Sequence, residues 1–121
     1  MDKKTALLAI LKILEDTDEN NPITREEIED KLKHNYDINV DRRTIYDKIA
    51  ILEDFGYEIS KPLRSDRQSG YYLLSRSFEP SEIKLLCNAV HSSKFIPFNY
   101  SKDLIKKLLY TQSKSFRKHS I

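Results

Sequence analysis

Cysteine is almost missing. Cys87 stands alone, which excludes a disulfide framework. The three histidines, His34, His91 and His119, are scattered, so with a single cysteine they give no zinc-ligand set. Two glycines exclude the glycine-rich loops that cradle phosphates. Tryptophan is absent, and so is any long hydrophobic run. The longest uncharged stretch near the N-terminus, Thr5 to Leu11, is too short to span a membrane and carries no cleavage-site pattern. A cytoplasmic protein without membrane contact is therefore expected. Cys87 has no visible base to activate it, and paired acids such as Glu53 and Asp54 have no partner for acid–base work. These absences point to a chain that is no enzyme and takes no cofactor.

What is present is charge and helical periodicity. The 121 residues suffice for one domain with a core, or one domain and a small appendage. Residues 80–121 hold 8 basic and 2 acidic side chains, a net of +6. Residues 1–79 hold 13 basic and 17 acidic, a net of −4. Any nucleic-acid contact by the N-terminal part must therefore use a local basic patch.

Apolar spacing predicts a first helix over about Lys4 to Glu15, with Leu7, Ile10, Leu11 and Leu14 on one face. A polar loop, Asp16 to Pro22, follows. Thr24 and Glu27 form a capping box, and Ile23 with Ile28 a hydrophobic staple, at the start of a second helix with the stripe Ile28, Leu32 and Tyr36. Asp41 is placed to cap a third helix, Arg42 to about Phe55, with core face Ile45, Ile49 and Leu52 and a left-handed C-terminal Gly56. Tyrosines and Ile59 favour two strands, about Tyr57–Lys61 and Tyr71–Leu74, around the polar loop Pro62 to Gly70. Of Tyr71 and Tyr72, alternation puts one in the core and one at the surface. Pro80 suits the start of a fourth helix to about Ser92. Ser101 is a candidate cap for a fifth, Lys102 to about Ser113, after which the tail is expected to fray.

Three helices followed by a two-stranded hairpin is the order of a winged helix-turn-helix, whose third helix enters the major groove. The expected fold is mostly α with a small β-hairpin: a winged helix-turn-helix over 1–77 and a two-helix extension over 78–121. At about 100° per residue from Ile45, the side chains opposite the core are Arg43, Asp47, Ala50 and Asp54. Arg43 sits in the first turn, where recognition helices meet base edges, and a guanidinium pairs in two places with guanine. Arg42, Thr44, Tyr46 and Lys48 suit phosphate contacts, which position without specifying. Asp47 can accept from a cytosine amino group or repel phosphate. Arg64 and Arg67 are placed to reach a minor groove or the backbone from the hairpin tip.

The run Val40-Asp41-Arg42-Arg43-Thr44-Ile45-Tyr46-Asp47, with Ile49, Leu52 and Gly56-Tyr57-Glu58-Ile59, resembles the N-terminal winged helix of bacterial WYL-domain transcriptional regulators. So do Gly70-Tyr71-Tyr72-Leu73, Glu82-Ile83-Lys84-Leu85-Leu86 and Ser92-Ser93-Lys94-Phe95-Ile96, and more weakly Leu104 to Leu108. The resemblance implies sequence-specific binding of double-stranded DNA and transcription regulation. Two departures stand out. Lys48 replaces a usual acidic residue, and the chain ends at Ile121 without the ligand-sensing WYL domain. The chain is then either a piece of a longer protein or a stand-alone form, and without the sensor domain no small-molecule ligand is expected.

The last two helices carry apolar residues on more than one face. Ile83, Leu86, Val90, Leu104, Ile105, Leu108 and Leu109 are expected at a homodimer interface, with Lys102, Lys106 and Lys107 outward, and the DNA site is expected to be an inverted repeat. The alternative is a protein-interaction module that uses the same fold to bind or inhibit another protein. It draws on the net charge of −4 and on Asp47.

Overall fold

The structure is a computed structural model that describes residues 3–119. It is mostly helical with one small antiparallel sheet, and the chain divides into two compact units, Met1–Ser75 and Arg76–Ile121.

The first unit holds α1 (Ala6–Glu15), α2 (Arg25–Tyr36), α3 (Arg42–Phe55), β1 (Ile59–Ser60) and β2 (Tyr72–Leu73). α1 starts two residues later than its apolar spacing suggested, because Lys3–Thr5 forms a tighter 3₁₀ turn. α2 has both halves of the expected box. Thr24 accepts from the Glu27 N–H at 3.2 Å, and the Glu27 carboxylate accepts from the Thr24 N–H at 3.0 Å. Its C-terminus turns at Asp37, which is left-handed at φ 52°, so that the Ile38 N–H closes onto the Leu32 carbonyl and Ile38 drops into the core. α3 begins at Asp41, which accepts from the Thr44 N–H at 2.9 Å, and stops at Gly56 with φ 123°.

These three helices and the hairpin share one core. Ile10, Leu14, Ile28, Leu32, Ile38 and Ile45 are fully enclosed, each worth about 1.5–3 kcal/mol on burial. The hairpin is narrower than its tyrosine pattern suggested. Only Ile59 opposite Leu73 and Ser60 opposite Tyr72 pair as β1 with β2. Tyr71 instead pairs with Ile23, in the segment before α2, through hydrogen bonds of 2.8 and 2.7 Å. The chain makes this crossing at Gly70 (φ 74°), where a Cβ would lie 2.9 Å from the Pro22 Cβ and 3.0 Å from the Ile23 carbonyl oxygen. Thr17 supplies a second tie. Its hydroxyl donates to the Leu14 carbonyl and accepts from the Leu73 N–H at 3.0 Å. Tyr71 is buried and Tyr72 half-buried.

The second unit holds α4 (Pro80–Ser92), α5 (Phe98–Leu109) and α6 (Lys114–His119). α4 has a capping box of its own, Glu79 with Glu82. Two expectations are corrected here. Ser101 does not cap a helix: α5 begins after Pro97, four residues earlier, and Ser101 is buried inside it with its hydroxyl donating to the Val90 carbonyl at 3.3 Å. Proline's fixed φ suits a helix entry, whereas a serine one turn in turns its hydroxyl to the neighbouring helix. The tail does not simply fray either. α6 makes the extension three helices rather than two. It is tethered by Gln112, which is buried and donates to the Phe78 carbonyl at 2.7 Å, and by Arg117, which donates to the Gln112 carbonyl at 2.9 Å. Arg117 also lies 4.5 Å from the Tyr110 ring. Ser120 and Ile121, read with that tail, lie outside the described residues.

Candidate nucleic-acid interface

The first turn of α3 is held by Asp41, and that fixes what Thr44 can do. The Thr44 hydroxyl donates to the Asp41 carboxylate at 2.7 Å, so its proton is committed within the cap. Thr44 is thus left with acceptor capacity, which a phosphate does not use. Arg42, Arg43, Tyr46 and Asp47 are exposed on the same helix, and Lys48 is half-buried. Arg43 and Asp47 are one turn apart, yet they form no ion pair.

The hairpin loop is ordered by its own polar groups. Leu63 pairs with Asp66, and Asp66 accepts from the Gln68 N–H at 3.1 Å, starting a 3₁₀ turn over Arg67–Ser69. The Ser69 hydroxyl donates to the Asp66 carbonyl at 2.7 Å and accepts from the Leu63 N–H at 2.9 Å. Arg64 and Arg67 project from this loop and are exposed.

Between this loop, the start of α2 and α3 lies an open cleft of about 260 Å³. It gathers Tyr46 with Arg64 and Arg67, three of the residues expected to touch DNA. Arg42, Arg43, Thr44, Asp47 and Lys48 are not among its lining residues. It also contains Arg25, Lys61, Gln68 and Tyr71, which the sequence reading had not placed at the site. Lys61 was detectable as the cation next to the loop. Arg25 was not, since only the tertiary fold brings the start of α2 against the hairpin.

The cations divide into two sets. Arg25 pairs with Glu29 at 2.9 Å and Glu26 at 3.1 Å, and Lys61 pairs with Glu53 at 2.9 Å. Burial opposes the Arg25 charge, but Glu29, Tyr46 and Glu26 outweigh it and hold the guanidinium above its ordinary pKa. Arg42, Arg43, Arg64 and Arg67 have no carboxylate partner among the described residues. Yet residues 1–75 carry 16 acidic against 12 basic side chains, so acids to pair with are in excess. Burial raises the Tyr71 phenol, with Tyr46 adding to the effect, so this ring lines the cleft as a neutral group.

The second unit shows where the residues expected at a dimer interface lie. Ile83 and Leu109 are buried inside the unit. Leu86, Val90, Ile105 and Leu108 are half-buried, and Leu104 is exposed. Burial also pushes the Cys87 thiol up, away from the thiolate. Among the described residues no group of three or more metal-ligating side chains could hold an ion, and no helix is long and apolar enough to cross a membrane. No protein-family model, curated protein or solved structure matches this chain.

Proposed function

We propose that this protein is a sequence-specific, double-stranded DNA-binding regulator of transcription. In this reading the first unit is a winged helix-turn-helix, α3 is the recognition helix and the hairpin is the wing. The chain acts in the bacterial cytoplasm, as a homodimer on an inverted repeat, in keeping with its resemblance to WYL-domain regulators. One observation carries the reading. Four arginines on the first turn of α3 and on the hairpin loop have no carboxylate partner among the described residues, in a unit with surplus acid. Guanidinium groups free of carboxylates, on a helix turn and on a loop, suit the closely spaced phosphates of duplex DNA.

Arg43 is the base-reading residue, and Arg42, Tyr46, Lys48, Arg64 and Arg67 position the duplex. Thr44 serves the cap. A second reading, a module that binds another protein through the same face, draws on Asp47 and Asp54, both exposed on α3. Selection from random duplex DNA with sequencing, at two salt concentrations, tests the proposal. Recovery of a defined motif, weakened by salt, is expected. Failure to enrich any motif at low salt would overturn it and favour the protein-binding reading.

A further inference from the structure

One face of the α4–α5 hairpin is left apolar, apart from the stripe that carries the buried Ile83 and Leu109. Leu85 is 70% exposed, Tyr100 71% and Leu104 40%, and Ala89 is exposed beside them. Helix geometry puts all four on the same side. Counting about 100° per residue from the buried stripes, Leu85 and Ala89 lie back from Ile83 on α4, and Tyr100 and Leu104 lie back from Ile105 on α5. In an antiparallel pair, offsets of the same sense fall on the same lateral face. The opposite side carries Lys84, whose ammonium lies 6.0 Å from the Phe116 ring of α6.

The two helices are antiparallel and their levels are known. Ser101 bonds to Val90 near the connecting turn, and Gln112 bonds to Phe78 at the other end. Ala89 is thus level with Tyr100, Leu85 with Leu104, and Glu82 with Lys107, to within about 3 Å at 1.5 Å rise per residue. α4 therefore presents, in order, an acid, a leucine and an alanine. α5 presents at the same levels a lysine, a leucine and a tyrosine.

We infer that this face is the homodimer interface, with the two-fold axis running parallel to the hairpin. Such an axis lays α4 of one copy on α5 of the other without changing level. Every contact then meets its complement twice: Glu82 against Lys107, Leu85 against Leu104, and the small Ala89 against the large Tyr100. The occupant is a second copy because the face is complementary to itself in charge sign and in side-chain size. A generic acidic partner would find Glu82 on the rim. The inference rests on the homodimer part of the proposed function and is independent of its DNA part. Two helices about 18 Å long make a small interface, so association in the micromolar range is expected.

The test is the mass of the full chain by light scattering at about 100 µM, well above the expected dissociation constant. The parent is expected at twice 14.3 kDa. Glu82→Lys alone and Lys107→Glu alone each set like charges against each other at two places and should weaken association about tenfold or more. An equimolar mixture of the two variants should return to the parent's affinity, since opposite charges then meet at both places. Like-charge contacts within one hairpin are not relieved by mixing, so rescue reports only contacts between copies. Glu82 also serves the α4 cap, so Ala89→Arg provides a variant that leaves the cap intact. It should be folded by circular dichroism and monomeric.

A parent that stays at 14.3 kDa overturns the inference and the homodimer reading together, while selection of a DNA motif would still stand. A dimeric parent with no rescue on mixing, or with a dimeric Ala89→Arg variant, overturns this interface and leaves the homodimer reading intact.

Discussion

Replacing Arg64 and Arg67 together by alanine should change the salt dependence of DNA binding in a calculable way. Both guanidinium groups lie on the cleft beside Tyr46, and neither pairs with a carboxylate among the described residues. Each, on meeting a phosphate, would release about 0.9 of a counterion. The double variant should therefore lose about 1.8 from the log–log slope of affinity against salt, per bound copy. Between about 50 and about 200 mM salt, that corresponds to roughly a twelvefold difference in how steeply parent and variant weaken. Lys61 provides the internal control. It lines the same cleft, but Glu53 already holds it at 2.9 Å. Held there, it neutralises no phosphate, so Lys61→Ala should leave the slope nearly unchanged. Fluorescence anisotropy on a labelled duplex, titrated at several salt concentrations, measures both. An unchanged slope for the double variant, or an equal fall for Lys61→Ala, would refute the argument that unpaired cations mark the contact surface.

Three further outcomes are expected. Arg43→Ala should cost about 1–3 kcal/mol and relax preference at one base position, whereas Lys48→Ala should weaken all sequences evenly; binding selections on both variants decide this. Gly70→Ala should destabilise by about 1–3 kcal/mol in urea melts, because φ is positive and the new Cβ would meet Pro22 and Ile23. Gly56→Ala has open space around it and should lose only the backbone part, so equal losses at the two sites would deny the crossing a steric role. Burial raises the Tyr71 phenol, so the unfolded chain gives up this proton at lower pH than the folded one. Its contribution to stability is full below its ordinary value of 10.0 and is lost as the pH rises through the higher folded value. Denaturant melts across that range should show a smaller loss for Tyr71→Phe than for the parent.

Much of the fold was legible because its signals are local. The Thr24–Glu27 box, the Asp41 cap, the periodic isoleucines of α3 and the stop at Gly56 each act within one or two turns of helix. The second unit was read less well for the same reason. Ser101 has the right chemistry for a cap, but the apolar packing of α5 continues past it, and the hydroxyl finds its acceptor on α4. α6 has no apolar period of its own and depends on the buried Gln112, which reaches across to Phe78. Nothing in the sequence marked that glutamine, because buried amides carry no periodic signal.

The candidate site divides along the same line. The sequence alone determined that Arg43 and Asp47 stand away from the core, since helical spacing settles which face Ile45 and Ile49 occupy. It also put Arg64 and Arg67 in a polar loop. Which cations are neutralised was decided only by tertiary structure. Glu53 of α3 meets Lys61 after the end of β1, and the start of α2 meets the hairpin because Ile23 pairs with Tyr71 across a crossing that Gly70 permits. Likewise, the sequence determined that α4 and α5 carry more apolar side chains than one face can hold. The fold decided that Ile83 and Leu109 go inside while Leu85, Tyr100 and Leu104 stay out. The physical reason is that a residue's periodicity is a property of its own helix, whereas burial and charge pairing depend on which element lies opposite.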